Sequence, residues 1–126
     1  MNHIRIMIID DAALVRLYYR DALERAGFVI EEAQNGVEAL EKLLLQPVDF
    51  LIVDINMPKM DGLTFLRTLR RQPGPIAGIP ALVTSTESAP QDLCAAREAG
   101  ANFYLVKPIQ PDVLLAHATL LCGAPA

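Results

Sequence analysis

Short apolar runs alternate with longer stretches in which apolar residues return every three or four positions. The runs cover residues 4–9, 28–30, 50–53, 81–83 and 103–106. None alternates strictly between apolar and polar, which is the pattern of a strand covered on both faces in a parallel sheet. The stretches between them read as helices. Over 13–26, Val15, one of Tyr18 or Tyr19, Ala22, Leu23 and Ala26 recur at helical spacing, and Gly27 supplies the stop. A second helix over 37–46 is marked by Val37, Leu40, Leu43 and Leu44 and closes before Pro47. A third over 62–72 carries Leu63, Phe65, Leu66 and Leu69 inward, with Arg67, Arg70 and Arg71 expected toward water. Ser88 is expected to cap a fourth helix that has Pro90 in its first turn and runs to Gly100. The last spans roughly 110–121. Five strand–helix units in alternation predict a three-layer, doubly wound α/β domain with a five-stranded parallel sheet and right-handed crossovers. The stretch 72–80, rich in Pro and Gly, is the one soft loop expected inside it, and the tail 123–126 is expected to fray. The whole chain, 1–126, reads as a single domain with its core at about 4–121.

Composition narrows the function classes. At 126 residues and 52% hydrophobic the chain has ample material for one core. Net charge is −4, from 15 acidic against 11 basic residues, so no electrostatic footprint for nucleic acid is present. No apolar run approaches the length of a membrane span, and charged residues interrupt the start of the chain where a secretion signal would need an apolar stretch. Cys94 and Cys122 form no C-x-x-C pattern and read as free thiols, which fits a cytoplasmic setting.

The candidate chemistry lies where the apolar runs end. Asp10 and Asp11 follow the run 6–9, and Asp54 follows 50–53. Strands of a parallel sheet present their chemistry at their carboxyl ends. If those two strands are neighbours, three carboxylates converge, and their repulsion calls for a cation. Hard oxygen donors with room for water suit Mg²⁺. The alternative is that Asp10 and Asp11 only cap the following helix, which would explain one aspartate but not a pair matched by Asp54. The fourth run leads into Thr84-Ser85-Thr86 and the fifth into Lys107-Pro108. Carboxylates, a cation, a hydroxyl and an ammonium at one sheet edge are what phosphoryl transfer requires, and a carboxylate can itself be the nucleophile.

These residues carry a resemblance. The chain resembles the receiver domains of two-component response regulators, most of all the stand-alone chemotaxis-type regulators, over nearly its whole length. The acidic pair Asp10-Asp11, the stretch Asp54-Ile55-Asn56-Met57-Pro58 with Asp61-Gly62, the hydroxyl Thr84, and Lys107-Pro108 match the family's motifs in order. Arg16 falls where an arginine often follows the acidic pair. The resemblance implies the flavodoxin-like strand order 2-1-3-4-5, the order shared by chemotaxis members of the family. It implies a signalling phosphoacceptor rather than an enzyme with turnover, one that promotes its own phosphorylation and dephosphorylation. Asp54 would accept a phosphoryl group from a phosphohistidine on a sensor histidine kinase or a histidine phosphotransfer protein. Asp11, Asp54 and the backbone carbonyl of Asn56 would ligate Mg²⁺, with Asp10 acting mainly through water. Lys107 and Thr84 would bind phosphoryl oxygens, and Lys107-Pro108 would be a cis peptide. Thr84 and Tyr104 would form the switch. A downstream protein would bind the surface of the fourth helix, fifth strand and fifth helix, including Tyr104, Arg97, Val106 and Gln110. Asn56 and Thr86 would tune the lifetime of the phosphoryl group, and Ser85, where alanine is common, is small enough to preserve access.

Two other classes fit less well. A phosphatase with an aspartate nucleophile needs a second acid two residues on, where this chain has Asn56. A flavin-binding domain needs a hydroxyl- and glycine-rich phosphate loop after the first strand, where this chain has Asp10-Asp11. A receiver cut from a larger regulator remains an alternative within the class. The stretch 84–100 runs slightly longer than is usual in the family. His3 and His117 are expected at the surface, and Met57 and Met60 as packing residues.

Overall fold

The computed structural model describes residues 3–123. Its elements run β1 (Arg5–Ile9), α1 (Ala13–Arg25), β2 (Val29–Ala33), α2 (Gly36–Leu45), β3 (Phe50–Asp54), α3 (Gly62–Arg70), a 3-10 turn (Pro75–Gly78), β4 (Ala81–Ser85), α4 (Pro90–Ala99), β5 (Phe103–Val106) and α5 (Pro111–Cys122). All strand pairs are parallel, in the order β2-β1-β3-β4-β5. This is the doubly wound, flavodoxin-like arrangement that the alternation of elements and the resemblance predict. The fraying expected at 123–126 falls, beyond Gly123, outside the described residues.

Both faces of the sheet are covered, which explains the unbroken apolar runs. Ile6, Ile8, Phe50, Ile52 and Leu82 face α1 and α5, where Tyr19, Leu23, Leu114 and Ala118 are buried against them. The alternate residues Met7, Ile9, Leu51, Val53 and Val83 face α2, α3 and α4. Tyr19, not Tyr18, is the buried tyrosine of α1.

Four local expectations are corrected. β2 extends past the apolar run through Glu31 and Glu32. It is an edge strand, and its acids are neutralised by Arg5 at 2.9 Å and by Arg16 and Arg20 at 2.8 and 2.6 Å. The buried face of α2 is Gly36, Ala39 and Leu43, while Val37 and Leu44 point outward with 41% and 65% exposure. Asn35 caps the helix, its side chain accepting from the Glu38 amide, so the helix starts at Gly36. Gly36 packs so closely on Met60 and Phe65 that a Cβ there would stand 2.9–3.0 Å from their side chains. Ser88 does not cap α4. Ala89 holds that position without a side-chain bond, and Pro90 opens the helix as expected.

Arg70 is the fourth. It does not turn to water. Its guanidinium donates to the carbonyls of Gly100, Ala77 and Ile79 at 2.7–3.1 Å and lies 3.3 Å from the Asn102 side-chain oxygen. It thereby joins the end of α3 to the C-cap of α4 and to the 72–80 stretch, where Ile76 and Ile79 are buried. Arg70→Met keeps much of the stem but strips several half-buried carbonyls of a charged donor. We expect a loss of about 3 kcal/mol in urea unfolding; a change below about 0.5 kcal/mol, the range of ordinary surface substitutions, would show the contacts to be incidental.

Candidate functional site

Register brings the three carboxylates together. Ile9 pairs with Val53, so the next residues of adjacent strands, Asp10 and Asp54, stand side by side at the carboxyl edge. Asp54 pairs in turn with Thr84. Ser85 pairs with Val106, and the Lys107 amide extends the ladder to the Ser85 carbonyl at 2.7 Å. Four chain segments therefore deliver their chemistry to one crevice.

Asp10, Asp11 and Asp54 each offer a carboxylate oxygen, all within 4.8 Å of one another. Asp10 and Asp54 are buried and Asp11 is exposed, so the cluster is closed below and open to solvent above. Lys107 bridges the two buried acids, with Nζ 3.3 Å from Asp10 and 3.2 Å from Asp54. The Asn56 amide lies 3.3 Å from Asp54 Oδ1. The donor set fits a small hard cation: three carboxylates, an open side for water, and no nitrogen or sulfur donor among them.

The electrostatics are unbalanced. Burial and then the Asp10 charge raise the pKa of Asp54, and the pairing with Lys107 offsets this only in part. Burial would lower the pKa of Lys107, but Asp10 and Asp54 outweigh it and hold the ammonium charged. A carboxyl whose pKa is raised on folding costs stability above that pKa, and the cost vanishes as pH falls through it. Asp54→Asn should therefore melt roughly a few degrees higher than wild type near neutral pH without divalent cation. The gap should close as pH falls through the Asp54 pKa. Thermal melts across pH check this, and a variant that melts lower at neutral pH would contradict it.

Thr84 is fully buried, and its hydroxyl has no hydrogen-bond partner among the described residues. Such a group costs about 1–3 kcal/mol unless something satisfies it. It stands beside Asp54, so an oxygen bound to Asp54 could supply the partner. Lys107-Pro108 is cis. Tyr104 is half-buried on β5, and its hydroxyl donates to the Glu87 carbonyl at 2.8 Å, tying β5 to the loop before α4. Arg97, Val106 and Gln110 are exposed on α4, β5 and the start of α5.

The acceptor loop is built by its neighbours. Lys59 adopts a positive φ of 67° and turns the chain. Asp61 caps α3, accepting from the Thr64 amide and hydroxyl at 2.9 and 3.0 Å. Met57 and Met60 pack partly buried against the core, as expected. His3 is exposed. His117 is half-buried instead, edge-on to Phe103 at 4.9 Å and bonded to the Val113 carbonyl. Both cysteines are free; burial first and then Asp49 push the Cys122 thiol up to about 11. The feature whose role the sequence did not disclose is Arg16. Its guanidinium reaches the backbone carbonyl of Asp10 at 2.6 Å and Glu32 at 2.8 Å.

The family model described as response regulator receiver domain matches residues 6–119, and the chain belongs to that family. It is 38% identical to the chemotaxis protein CheY of Bacillus subtilis over 112 residues, 88% of this chain and 91% of that one. It is 40% identical to a protein-glutamate methylesterase/protein-glutamine glutaminase of Archaeoglobus fulgidus and 35% identical to a gliding motility regulatory protein of Myxococcus xanthus. The chain spans only 30% and 14% of the lengths of those two proteins. Among solved structures, Vibrio cholerae CheY4 superposes with a TM-score of 0.89 at 31% identity, covering 95% of this chain and 99% of that one. The signal receiver domain of a histidine kinase from Syntrophus aciditrophicus superposes with a TM-score of 0.86 at 33% identity, covering 94% and 89%. The chain is thus a CheY-like signalling domain. No helix among the described residues is long and apolar enough to cross a membrane.

Proposed function

We propose that this domain, residues 1–126 acting as one receiver, takes a phosphoryl group onto Asp54 from a phosphohistidine of a sensor histidine kinase or histidine phosphotransfer protein. The observation that carries the reading is the placement of Asp54, flanked by Asp10 and Lys107 and paired with Thr84, whose buried hydroxyl has no partner among the described residues. In the transfer, a carboxylate oxygen of Asp54 bonds to phosphorus as the phosphorus–nitrogen bond of the donor imidazole breaks. The bonding pair leaves with the imidazole. Lys107 and Thr84 then hold phosphoryl oxygens, satisfying the Thr84 hydroxyl. Asp10, Asp11, Asp54 and the Asn56 carbonyl are the residues that would hold Mg²⁺, which would neutralise charge gathered on the phosphoryl oxygens.

The new charge biases a two-state element. Engagement of Thr84 draws on β4, and Tyr104, tied to the loop after β4, is positioned to respond. The face formed by α4, β5 and α5, with Arg97, Tyr104, Val106 and Gln110, would then present a changed surface to a downstream protein in the cytoplasm. The support is the family membership and the exposure of Arg97, Val106 and Gln110. Thr86 and Asn56 are both exposed beside the crevice, where they can reach a water attacking the acyl phosphate. Substituting either should change the autodephosphorylation rate several-fold, and unchanged rates for both would remove that role.

The direct test is incubation with acetyl phosphate and Mg²⁺ followed by intact-mass measurement. One added phosphoryl group that disappears with a chelator is expected. No added mass under any cation condition would sink the reading.

A further inference from the structure

We infer that Arg16, held by Glu32, is a positioning residue that sets the Asp10–Asp11 turn and thereby the affinity of the acidic crevice for its cation; this rests on the function proposed above. Asp10 and Asp11 follow β1 with no helix or strand of their own to fix them. The peptide group between them is gripped by a side chain, Arg16 Nη1 donating to the Asp10 carbonyl at 2.6 Å, while within the turn the Ala12 amide donates to Asp10 Oδ1 at 2.9 Å. The Asp10 amide is held on the other side by the Ala33 carbonyl of β2 at 3.1 Å. Arg16 is itself oriented, with Nε donating to Glu32 at 2.8 Å and its side chain only 12% exposed. Glu32 is fixed in turn by Arg20 at 2.6 Å. No such brace reaches the Asp11 side chain, which is exposed and within 4.8 Å of Asp10 and Asp54 only because the turn holds it there. Rotation of the 10–11 peptide would swing Asp11 away from the other two. Groups that orient metal ligands from behind commonly govern affinity about 10–100-fold.

Charge and geometry make opposite forecasts, which gives a decisive test. Arg16 is a cation beside a cation site, so electrostatics alone predicts that Arg16→Gln tightens Mg²⁺ binding. The brace predicts that it weakens. Arg16→Lys keeps the charge but cannot serve both oxygens with one planar fork. Titration of each protein with Mg²⁺ by calorimetry, and the Mg²⁺ dependence of labelling by acetyl phosphate, read the effect. Both variants should raise the dissociation constant and the half-saturating Mg²⁺ concentration about tenfold while the labelling rate at saturating Mg²⁺ stays within about twofold of wild type. Tighter binding in Arg16→Gln, or unchanged affinity in Arg16→Lys whether or not its melting temperature falls, overturns the inference. A wild-type protein that binds no Mg²⁺ and takes no label would overturn the proposed function itself. Wild-type binding with unaltered variants would overturn only the role of Arg16.

Discussion

Asp54→Asn should take up no phosphoryl group from acetyl phosphate under conditions in which the wild-type protein gains one. The amide has nearly the shape of the carboxylate, so the crevice keeps its packing. It lacks the anionic oxygen that would bond to phosphorus in the proposed transfer, and it removes one of the three clustered carboxylates that would hold the cation. Both losses fall on the same step, and the labelling rate should drop by at least about a thousandfold. Peptide mapping sharpens the test, because Asp11 is also an exposed carboxylate at the same site. Label on Asp11 in the variant, or equal labelling of both proteins, would show that proximity to the cation suffices and that Asp54 has no special place. The variant should at the same time melt higher than wild type without cation, so lost labelling cannot be blamed on a damaged fold.

Gly62→Ala should both destabilise the protein and slow labelling. A Cβ at this position would stand 2.4 Å from the Asp54 carbonyl oxygen and 2.9 Å from the Ile55 Cα, both main-chain atoms that cannot swing aside. The Gly62 amide also donates to the Ile55 carbonyl at 2.9 Å, so the first turn of α3 rests directly on the end of β3. Relief requires α3 to lift from the sheet or Asp54 to move. Crowding of this kind costs about 1–3 kcal/mol, and the backbone contact places the expected loss near the top of that range. Gly74 is the control. It has open space around it, but its φ of +83° with ψ of −169° is backbone that only glycine adopts readily, so alanine there should cost about 1–3 kcal/mol through strain alone and leave labelling unchanged. Urea unfolding and labelling rates of the two variants compare crowding with strain directly. Equal slowing of labelling in both, or none in either, would show that the close approach at Gly62 is not special.

The residues at the strand ends were legible in the sequence because their signal is local. A carboxylate, hydroxyl or lysine that closes an apolar run needs only the direction of the strand to be placed at the crevice, and Asp10, Asp54, Thr84 and Lys107 all stand there. The strand order came from the family resemblance, since alternation of elements alone allows several orders. Helix rotation was less legible. Val37, Leu40, Leu43 and Leu44 satisfy a helical period, but so does the set beginning at Gly36 and Ala39, and small residues carry no hydropathy signal. The close approach of Gly36 to Met60 and Phe65, where only a small residue fits, decides between them. Arginines were the hardest to read. Arg70 finds its partners mainly in backbone carbonyls and Arg16 divides its between the Asp10 carbonyl and Glu32; folding brings these groups close, and a carbonyl has no signature in the sequence.

The fastening by Arg70 bears on where this chain tolerates being opened. Surface stretches rich in proline and glycine are the usual choice for new termini, inserted domains or split halves. The stretch 72–80 would be selected on composition, yet one guanidinium grips it at Ala77 and Ile79 and reaches Gly100 beyond β4 and α4. Opening the chain there would free a stretch that Arg70 holds at Ala77 and Ile79, and with it the buried Ile76 and Ile79. Residues 46–49 offer a different junction, since Gln46, Pro47 and Asp49 are exposed, although Val48 is buried and must be kept.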